Sequence, residues 1–503
     1  MKWPGLALIV ALTMPGLGLA QAGKGGAKLQ MVLLPNSSPL VSFRILFNIG
    51  AASDPRGKEG VAALTAAMLS EGGSREMTYE QIVKAMYPIA SEFNAQVDKE
   101  MTVFYGATHI DNLSKYYQIM SGMLLDPGWR PDDFTRLKEN AINFLKVNLR
   151  GNNDEELGKE ALYNFIYAGH PYGRYNIGTV EALEKLTIED LKTFYRENYT
   201  SSNFVLGLAG GHPAGFEAKI RNDFGARLAA GKPSSLQLPE PARISGLQMQ
   251  IIQKDTPATA ISFGFPIAVT RADKDWPAML VLQSYFGQHR SSNSYLYQRM
   301  RQIRGLNYGD YAYIEYFPRG MFQFHPDPNL GRRQQIFQVW VRPVEPKNGV
   351  FALRIALYEL RKLVESGLSK DDFEATRLFL TKFVNVLTKA QDAQLGYALD
   401  SHYYGMPSFT EYVRERLRKL TLEDVNRIAK KYLQAENVRI VVVTKDAEAF
   451  KSAVVDNRPS PISYTSPPPK EILEEDKLIE RYPLKISPSA VEIMPVDRVF
   501  SDR

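Results

Sequence analysis

Hydrophobic and polar positions follow two patterns along this chain, and each pattern occurs twice. Two apolar runs flank a polar, proline-containing turn near the start of each half: LQMVLLPNSSPLVSFRILFNIG at 29–50 and LQMQIIQKDTPATAISFGFPI at 247–267. Such short runs, bounded by turn residues, predict β-strands. Apolar residues at helical spacing predict amphipathic helices at 60–71, 132–149, 276–288 and 351–365.

The ends of the two halves also repeat. LTIEDLKTF at 186–194 and LTLEDVNRI at 420–428 are separated by 234 residues. In each, a threonine suits the N-cap of a helix and a carboxylate follows in its first turn. A buried strand is then predicted after each helix, FVLGLAG at 204–210 and VRIVVVT at 438–444.

These repeats predict an α+β fold of two tandem homologous domains, each a mostly antiparallel sheet with helices packed on it. The predicted domains cover 28–228 and 247–450. A linker rich in Pro, Ser and Gly, 229–246, joins them, and such linkers are flexible to semi-extended. A Pro-rich C-terminal extension, 451–503, follows. Residues 458–470 are predicted to be extended, residues 471–503 to hold one short helix, and the extension to lie along the body.

Composition limits the possible chemistry. The 503 residues have a formal net charge of +6 and no run of five like charges, which argues against a nucleic-acid surface. Cysteine is absent, which excludes disulfides, cysteine nucleophiles and thiolate metal sites. No two of the six histidines lie three to five residues apart. The motif GxSxG and a P-loop are also absent.

The N-terminus resembles a secretory signal. Residues 1–20, MKWPGLALIVALTMPGLGLA, combine one lysine, an apolar stretch and small residues before a plausible cleavage site after Ala20. No later stretch has 18 consecutive apolar residues, so no membrane span is expected in the mature chain. We therefore expect a periplasmic or secreted protein, and a Gram-negative bacterium as its source.

Several segments, in the right order, resemble the insulinase/pitrilysin family of zinc peptidases. They are NIGAASDPRGKEG followed by the helix GVAALTAAMLSEGG (60–73), then 165–206, then YLYQRMRQIRGLNYGDYAY (295–313). Gly50, Asp54 and Gly60 fit the first of these segments. The resemblance covers roughly 28–450 and implies that the two domains form half of a clam-shell chamber.

The resemblance also shows what this chain lacks. Active members carry H-x-x-E-H on this helix, where two imidazoles bind Zn²⁺ and the glutamate activates a water. The matching positions here are Ala63, Ala66 and Ala67. The third ligand, a glutamate in the family, falls near Phe144 and Leu145, and the nearest carboxylate, Glu139, lies more than a helical turn earlier. No catalytic or metal-binding residue is therefore assigned to this chain.

A substrate-binding pair is retained. Arg301 and Tyr308 match an Arg/Tyr pair that, in the family, hydrogen-bonds the bound peptide near the zinc site. Gly305 is expected to end the helix between them. Read without the family, the same residues could be a surface arginine and a core-facing tyrosine. Arg304 could assist the pair or serve only as a charge at the C-terminal end of the helix.

This combination resembles the non-catalytic subunit of two-chain peptidases, such as the mitochondrial processing peptidase α-type subunit. It implies a homologous partner that carries the zinc, a peptide substrate, and no cofactor in this chain. An architectural subunit is the alternative within the family. The alternatives outside it are a secreted peptide-binding or scaffold protein without a peptidase partner, and an autonomous hydrolase with an unrelated site.

Overall fold

Two β-sheets organise the chain in the computed structural model, which describes residues 29–464 and 468–501. The predicted signal peptide at 1–20 lies outside these residues. The strands of the first sheet are β1 (Gln30–Pro35), β2 (Leu40–Phe47), β3 (Asn94–Val97), β4 (Thr102–His109) and β5 (Phe204–Gly210). Those of the second are β6 (Gln248–Gln253), β7 (Thr259–Ile267), β8 (Asp310–Tyr313), β9 (Gln335–Val344), β10 (Arg439–Thr444) and β11 (Val491–Pro495).

Helices connect and cover these strands. In the first half they are α1 (Val61–Glu71), α2 (Tyr79–Met86), α3 (Leu113–Leu125), α4 (Pro131–Asn143), α5 (Arg150–Asn152), α6 (Asp154–Ile166), α7 (Val180–Lys185), α8 (Ile188–Asn198) and α9 (Phe216–Arg227). In the second half they are α10 (Trp276–Gly287), α11 (Gly349–Ser366), α12 (Lys370–Leu387), α13 (Gln391–Tyr404), α14 (Phe409–Lys419), α15 (Leu422–Tyr432), α16 (Ala447–Val455) and α17 (Lys470–Ile479). The four predicted helices and the predicted strands are therefore confirmed.

The sheets confirm the internal repeat. The first has the strand order β1-β5-β2-β4-β3, and the second repeats it as β6-β10-β7-β9-β8 with β11 added at one edge. In both, the first strand of the repeat pairs parallel with its last strand, and the other pairs within the five repeated strands are antiparallel. Thr187 and Thr421 each accept a hydrogen bond from the backbone amide three residues later, as expected of helix N-caps. The chain is thus an α+β fold of two tandem homologous units.

The two halves exchange equivalent helices. Helix α6 of the first half packs on β7, β9 and β10 of the second sheet, and α13 of the second half packs on β1, β2 and β5. At Gly158 of α6, a Cβ would lie 3.6 Å from the side chain of Val443 on β10, which is an ordinary van der Waals distance, so the helix lies directly on the sheet. Asp392 on α13 forms an ion pair with Arg44 on β2, in which Nη2 lies 2.6 Å from Oδ2. The predicted boundaries 28–228 and 247–450 stay predictions, because packing crosses between the halves.

The linker is attached to the body. Arg333 donates to the Leu236 carbonyl at 2.8 Å, and Gln334 donates to the Pro239 carbonyl at 2.8 Å. Together with the exchanged helices, these contacts fix the halves against each other. The flexible linker expected from composition is therefore held in place by tertiary contacts.

The C-terminal extension contains more than the one helix that was predicted. Besides α17 it forms β11, which pairs parallel with β6 from Val491 to Pro495. The sequence around β11 is short and weakly apolar, so the prediction missed it. Among the described residues, no helix is long and apolar enough to cross a membrane.

Candidate functional site

Helix α1, which carries the positions of the lost metal motif, begins at an unusual turn. Gly60 adopts a left-handed backbone with φ of 99°, and a Cβ there would meet the Ile177 carbonyl at 2.3 Å. The Asp54 carboxylate accepts hydrogen bonds from the Gly60 amide at 2.6 Å and the Ala62 amide at 3.0 Å. Asp54 therefore caps the helix and fixes its direction, although no metal motif follows.

Ala63, Ala66 and Ala67 lie together beside an open cavity of about 570 Å³. The edge strand β3 and the second-half residues Tyr316 and Phe322 also line this cavity. A methyl group has no lone pair to donate to a metal and cannot accept a proton. The helix therefore places the three positions together at the cavity, but their side chains can neither bind a metal nor act as a base.

The position of the third ligand has also changed. Phe144 begins a π-helical stretch, Phe144–Leu149, and its ring lines the same cavity. Leu145 is fully buried in the core, and Glu139 is exposed and does not line the cavity. Phe144 therefore lies beside the same cavity as the three alanines, whereas Leu145 and Glu139 do not line it.

Two other carboxylates reach the cavity. Glu71 lies at the end of α1, where burial raises its pKa despite the charge of Arg136. Glu156 is already engaged, since its Oε1 accepts the Arg319 amide at 2.8 Å and its Oε2 lies 3.4 Å from the ammonium of Lys159. Residues 29–464 and 468–501 contain no group of three His, Asp or Glu side chains placed to hold a metal ion. The side chains present do not fit zinc.

A long loop from the second half lines one side of the cavity. The connection between β8 and β9, residues 314–334, has 21 residues, whereas the equivalent connection between β3 and β4 has four. Connections longer than 12–15 residues are uncommon and are usually functional. This loop was not predicted, although the unequal spacing between equivalent strands could have revealed it.

Buried side chains of α6 hold this loop. Lys159 donates to the Phe317 carbonyl, and its ammonium lies 4.8 Å from the ring centroid of Trp340. Tyr316 donates to Glu160 at 2.6 Å. Lys159 is only 2% exposed, so the loop is tied to a charged group within the protein. The exchanged helix thus fixes the loop over the cavity.

The structure brings Arg301 and Tyr308 together. Nη1 of Arg301 donates to the Tyr308 carbonyl at 2.8 Å, and the guanidinium lies 5.4 Å from the Tyr308 ring centroid and 4.9 Å from that of Tyr297. Gly305, with φ of 64°, ends the helical segment as predicted. Tyr308 is 72% exposed, so the alternative of a core-facing tyrosine is wrong.

A rigid turn supports Tyr308. Asn307 donates to Asp310 at 2.7 Å and to the Arg342 carbonyl at 3.0 Å, and it accepts from the Gly309 amide at 3.1 Å. Burial raises the pKa of Asp310 to about 8, although Asn307, Arg342 and Arg301 oppose the shift. Neither Arg301 nor Tyr308 lines the cavity beside α1.

Arg304 has a different role from either one considered. Its side chain is fully buried and pairs with Glu475 and Asp476 of the C-terminal extension, at 2.9 and 2.8 Å. It is therefore neither a free helper of the pair nor a solvated charge at the end of a helix. Nothing in the sequence indicated this contact, because the partners lie more than 170 residues away.

Comparisons with known proteins agree with this picture. The family model described as Insulinase (Peptidase family M16) matches residues 31–180, and the model described as Peptidase M16 inactive domain matches residues 185–380. An uncharacterized zinc protease of Mycobacterium bovis is 23% identical over 359 residues, which is 70% of this chain and 76% of the relative. A probable mitochondrial-processing peptidase subunit beta of Arabidopsis thaliana is 22% identical over 255 residues, 50% of this chain and 47% of the relative.

Solved structures share the fold. A peptidase M16 inactive domain from Pseudomonas fluorescens superimposes with a TM-score of 0.72 at 20% identity, over 82% of this chain and 94% of that one. A protease from Helicobacter pylori gives 0.70 at 15% identity, over 83% and 97%. Since two models of one family match nearly all of residues 31–380, this chain belongs to the insulinase (M16) family of peptidases.

Proposed function

We propose that this chain is the non-catalytic, substrate-binding subunit of a two-chain zinc peptidase in the periplasm. One observation carries the proposal: α1 presents three methyl groups at the metal positions, while Arg301 and Tyr308 remain paired and accessible on another surface. The zinc, the activated water and the general base belong to a homologous partner chain that carries H-x-x-E-H.

The Arg301–Tyr308 pair suits peptide binding. A guanidinium offers several donors in a fixed plane, and a phenol can donate or accept, so together they can bind a peptide carbonyl or a terminal carboxylate. Nη1 of Arg301 donates to the Tyr308 carbonyl, and Nε and Nη2 remain for a substrate. The contact with the Tyr297 ring limits the motion of the side chain.

The relatives support pairing with a second chain. Several are named zinc proteases, and one is named as a subunit of a processing peptidase. In such an assembly, this chain supplies binding and orientation, and the partner supplies hydrolysis. Orientation by itself can lower the barrier of a reaction substantially.

Purification of the full-length chain from the periplasm of its own organism tests the proposal. A co-purifying chain with H-x-x-E-H is expected, and the complex should cleave a quenched-fluorescent peptide until a chelator is added. The chain prepared alone should not cleave it. If the chain alone cleaves the peptide in excess chelator, an autonomous hydrolase is favoured. If the chain alone cleaves the peptide and chelator abolishes the cleavage, the metal is bound by this chain. A stable chain without such a partner would favour the scaffold alternative.

A further inference from the structure

The segment that carries Arg301 contains two further arginines, and the structure separates the three by role. Arg299 and Arg304 point to carboxylates, whereas Arg301 reaches the Tyr308 carbonyl. The side chain of Arg304 is fully buried, and that of Arg299 is 12% exposed. Arg301 is half-buried, and among the described residues it pairs with no carboxylate, so it remains available to a ligand.

Helix α17 of the C-terminal extension supplies most of these carboxylates. Glu475 pairs with both Arg299 and Arg304, and Asp476 pairs with Nε of Arg304 at 2.8 Å. Tyr464, also in the extension, donates to Asp476. Partial burial would raise the pKa of Glu475, but hydrogen bonds and charges from the two arginines hold it below its ordinary value.

The body of the second half contributes one more charge. Glu359 of α11 is fully buried, pairs with Nε of Arg299 at 2.6 Å and accepts Tyr295 at 2.9 Å. Glu359 does not contact Arg304 through any hydrogen bond or ion pair within the described residues. The buried charge of Arg304 therefore depends on α17 for its neutralisation, and buried charges without partners are strongly unfavourable.

We propose that α17 is a positioning element of the substrate-binding site, in which Glu475 and Asp476 fix segment 297–308 and thereby the direction of Arg301. This inference rests on the proposed function for its link to peptide binding. The extension lies outside the matched family ranges 31–180 and 185–380. We call the ion pairs of Glu475 and Asp476 with Arg299 and Arg304 the clamp. Arg299 and Arg304 are positioning residues, because they act through the segment that carries Arg301.

Two measurements test the clamp in the full-length chain. The variants are Glu475→Gln and Asp476→Asn. The matched control is Glu474→Gln, whose side chain is exposed and, within the described part of the chain, pairs with Lys477 at 2.8 Å. Hydrogen exchange of the chain alone should be faster in both variants at the amides of Ile303, Gly305 and Leu306, which bond within the segment. The control should match wild type.

The second measurement is peptide cleavage in complex with the zinc-bearing partner. Glu475→Gln should raise KM by about tenfold with little change in kcat, because a small misplacement of a binding group weakens substrate binding. In the double variant with Arg301→Ala, Glu475→Gln should raise KM no further, because both changes remove the same interaction with the substrate. A loss of kcat with unchanged KM, or full additivity, would overturn the positioning role.

The two proposals can fail separately. An unchanged KM in Arg301→Ala would contradict the proposed function, and the exchange measurement would then decide the clamp by itself. Unchanged exchange at 303–306 in both Glu475→Gln and Asp476→Asn would overturn the clamp, whatever the activity of the complex.

Discussion

Arg332 and Asp98 form a two-pronged ion pair between the halves of the chain. Nε and Nη2 of Arg332 donate to the two carboxylate oxygens of Asp98 at 2.7 and 2.6 Å. The side chains are 1% and 0% exposed, and the guanidinium carbon lies 3.7 Å from the ring centroid of Tyr316. Burial by itself would raise the pKa of Asp98, but the charge and hydrogen bonds of Arg332 hold it below its ordinary value.

Asp98→Asn should destabilise the protein strongly, because it leaves the charge of Arg332 buried without its counter-charge. We expect a loss of about 3–5 kcal/mol in the free energy of unfolding. Urea denaturation measures this change. Asp255→Asn is the control, since Asp255 is 88% exposed in its pair with Lys445 and should change stability little. Equal effects of the two variants would contradict this account of the contact between the halves.

Asp54 should make stability depend on pH. Burial raises its pKa to about 7, against the opposing hydrogen bonds from Gly60 and Ala62. Because the folded-state pKa exceeds the unfolded-state value, the contribution of Asp54 is complete below about pH 4 and is lost as pH rises to about 7. Asp54→Asn removes the titrating group, so its free energy of unfolding should fall less over this range.

Denaturation of wild type and Asp54→Asn at several pH values checks this prediction. Burial lowers the pKa of Lys99 to about 7, and Asp54 and Lys99 influence each other, so the difference between the two proteins reports Asp54 together with its effect on Lys99. Asp111→Asn, at an exposed position, serves as the control. Parallel curves for wild type and Asp54→Asn would show that Asp54 is not protonated in the folded state.

The vacated helix should accept metal ligands. Ala63 and Ala67 are half-buried, lie at i and i+4 and face the same cavity, so two histidines there can share one ion. Ala63→His/Ala67→His should bind one Zn²⁺ per chain by calorimetry, and Phe144→Glu should tighten binding. Ala63→His alone is the control and should bind much more weakly. Equal affinities of the single and double variants would contradict the placement of these positions.

Arg301→Ala should weaken peptide binding in the two-chain enzyme. A hydrogen bond from a charged group contributes about 1.5–3 kcal/mol, so KM should rise roughly tenfold or more. Steady-state cleavage of the fluorescent peptide measures the change. Arg414→Ala, at an exposed position on α14, should behave as wild type. A normal KM in Arg301→Ala would remove the role assigned to the pair.

Lys159→Met should release the loop at 314–334. The methionine can fill the space among the Tyr313, Phe317 and Trp340 rings, but it cannot donate to the Phe317 carbonyl. Trypsin should then cleave faster after Arg319, which is exposed in the loop. Lys192→Met, which removes a pair with Glu189 on the surface, is the control. Equal cleavage rates would show that Lys159 does not hold the loop.

Local patterns in the sequence predicted many of the elements. The threonine caps at 187 and 421 and the apolar periodicity of α1, α4, α10 and α11 depend on neighbours within a few residues, and all were confirmed. The alanines at 63, 66 and 67 also exclude metal ligation without any coordinates, because their side chains carry no donor atoms. The repeated order of patterns determined the two-unit α+β fold.

Tertiary structure decided which distant segments meet. The exchange of α6 and α13, the pairing of β11 with β6, and the contacts of Arg304 with Glu475 and Asp476 all join residues that are distant in the sequence, for example Arg304 and Asp476. Such contacts leave no periodic signal in the sequence, because a buried ion pair needs only one basic residue in one segment and one acidic residue in the other. The charged residues of α6 are buried because the helix packs against the second sheet and its long loop, and only the tertiary structure shows this.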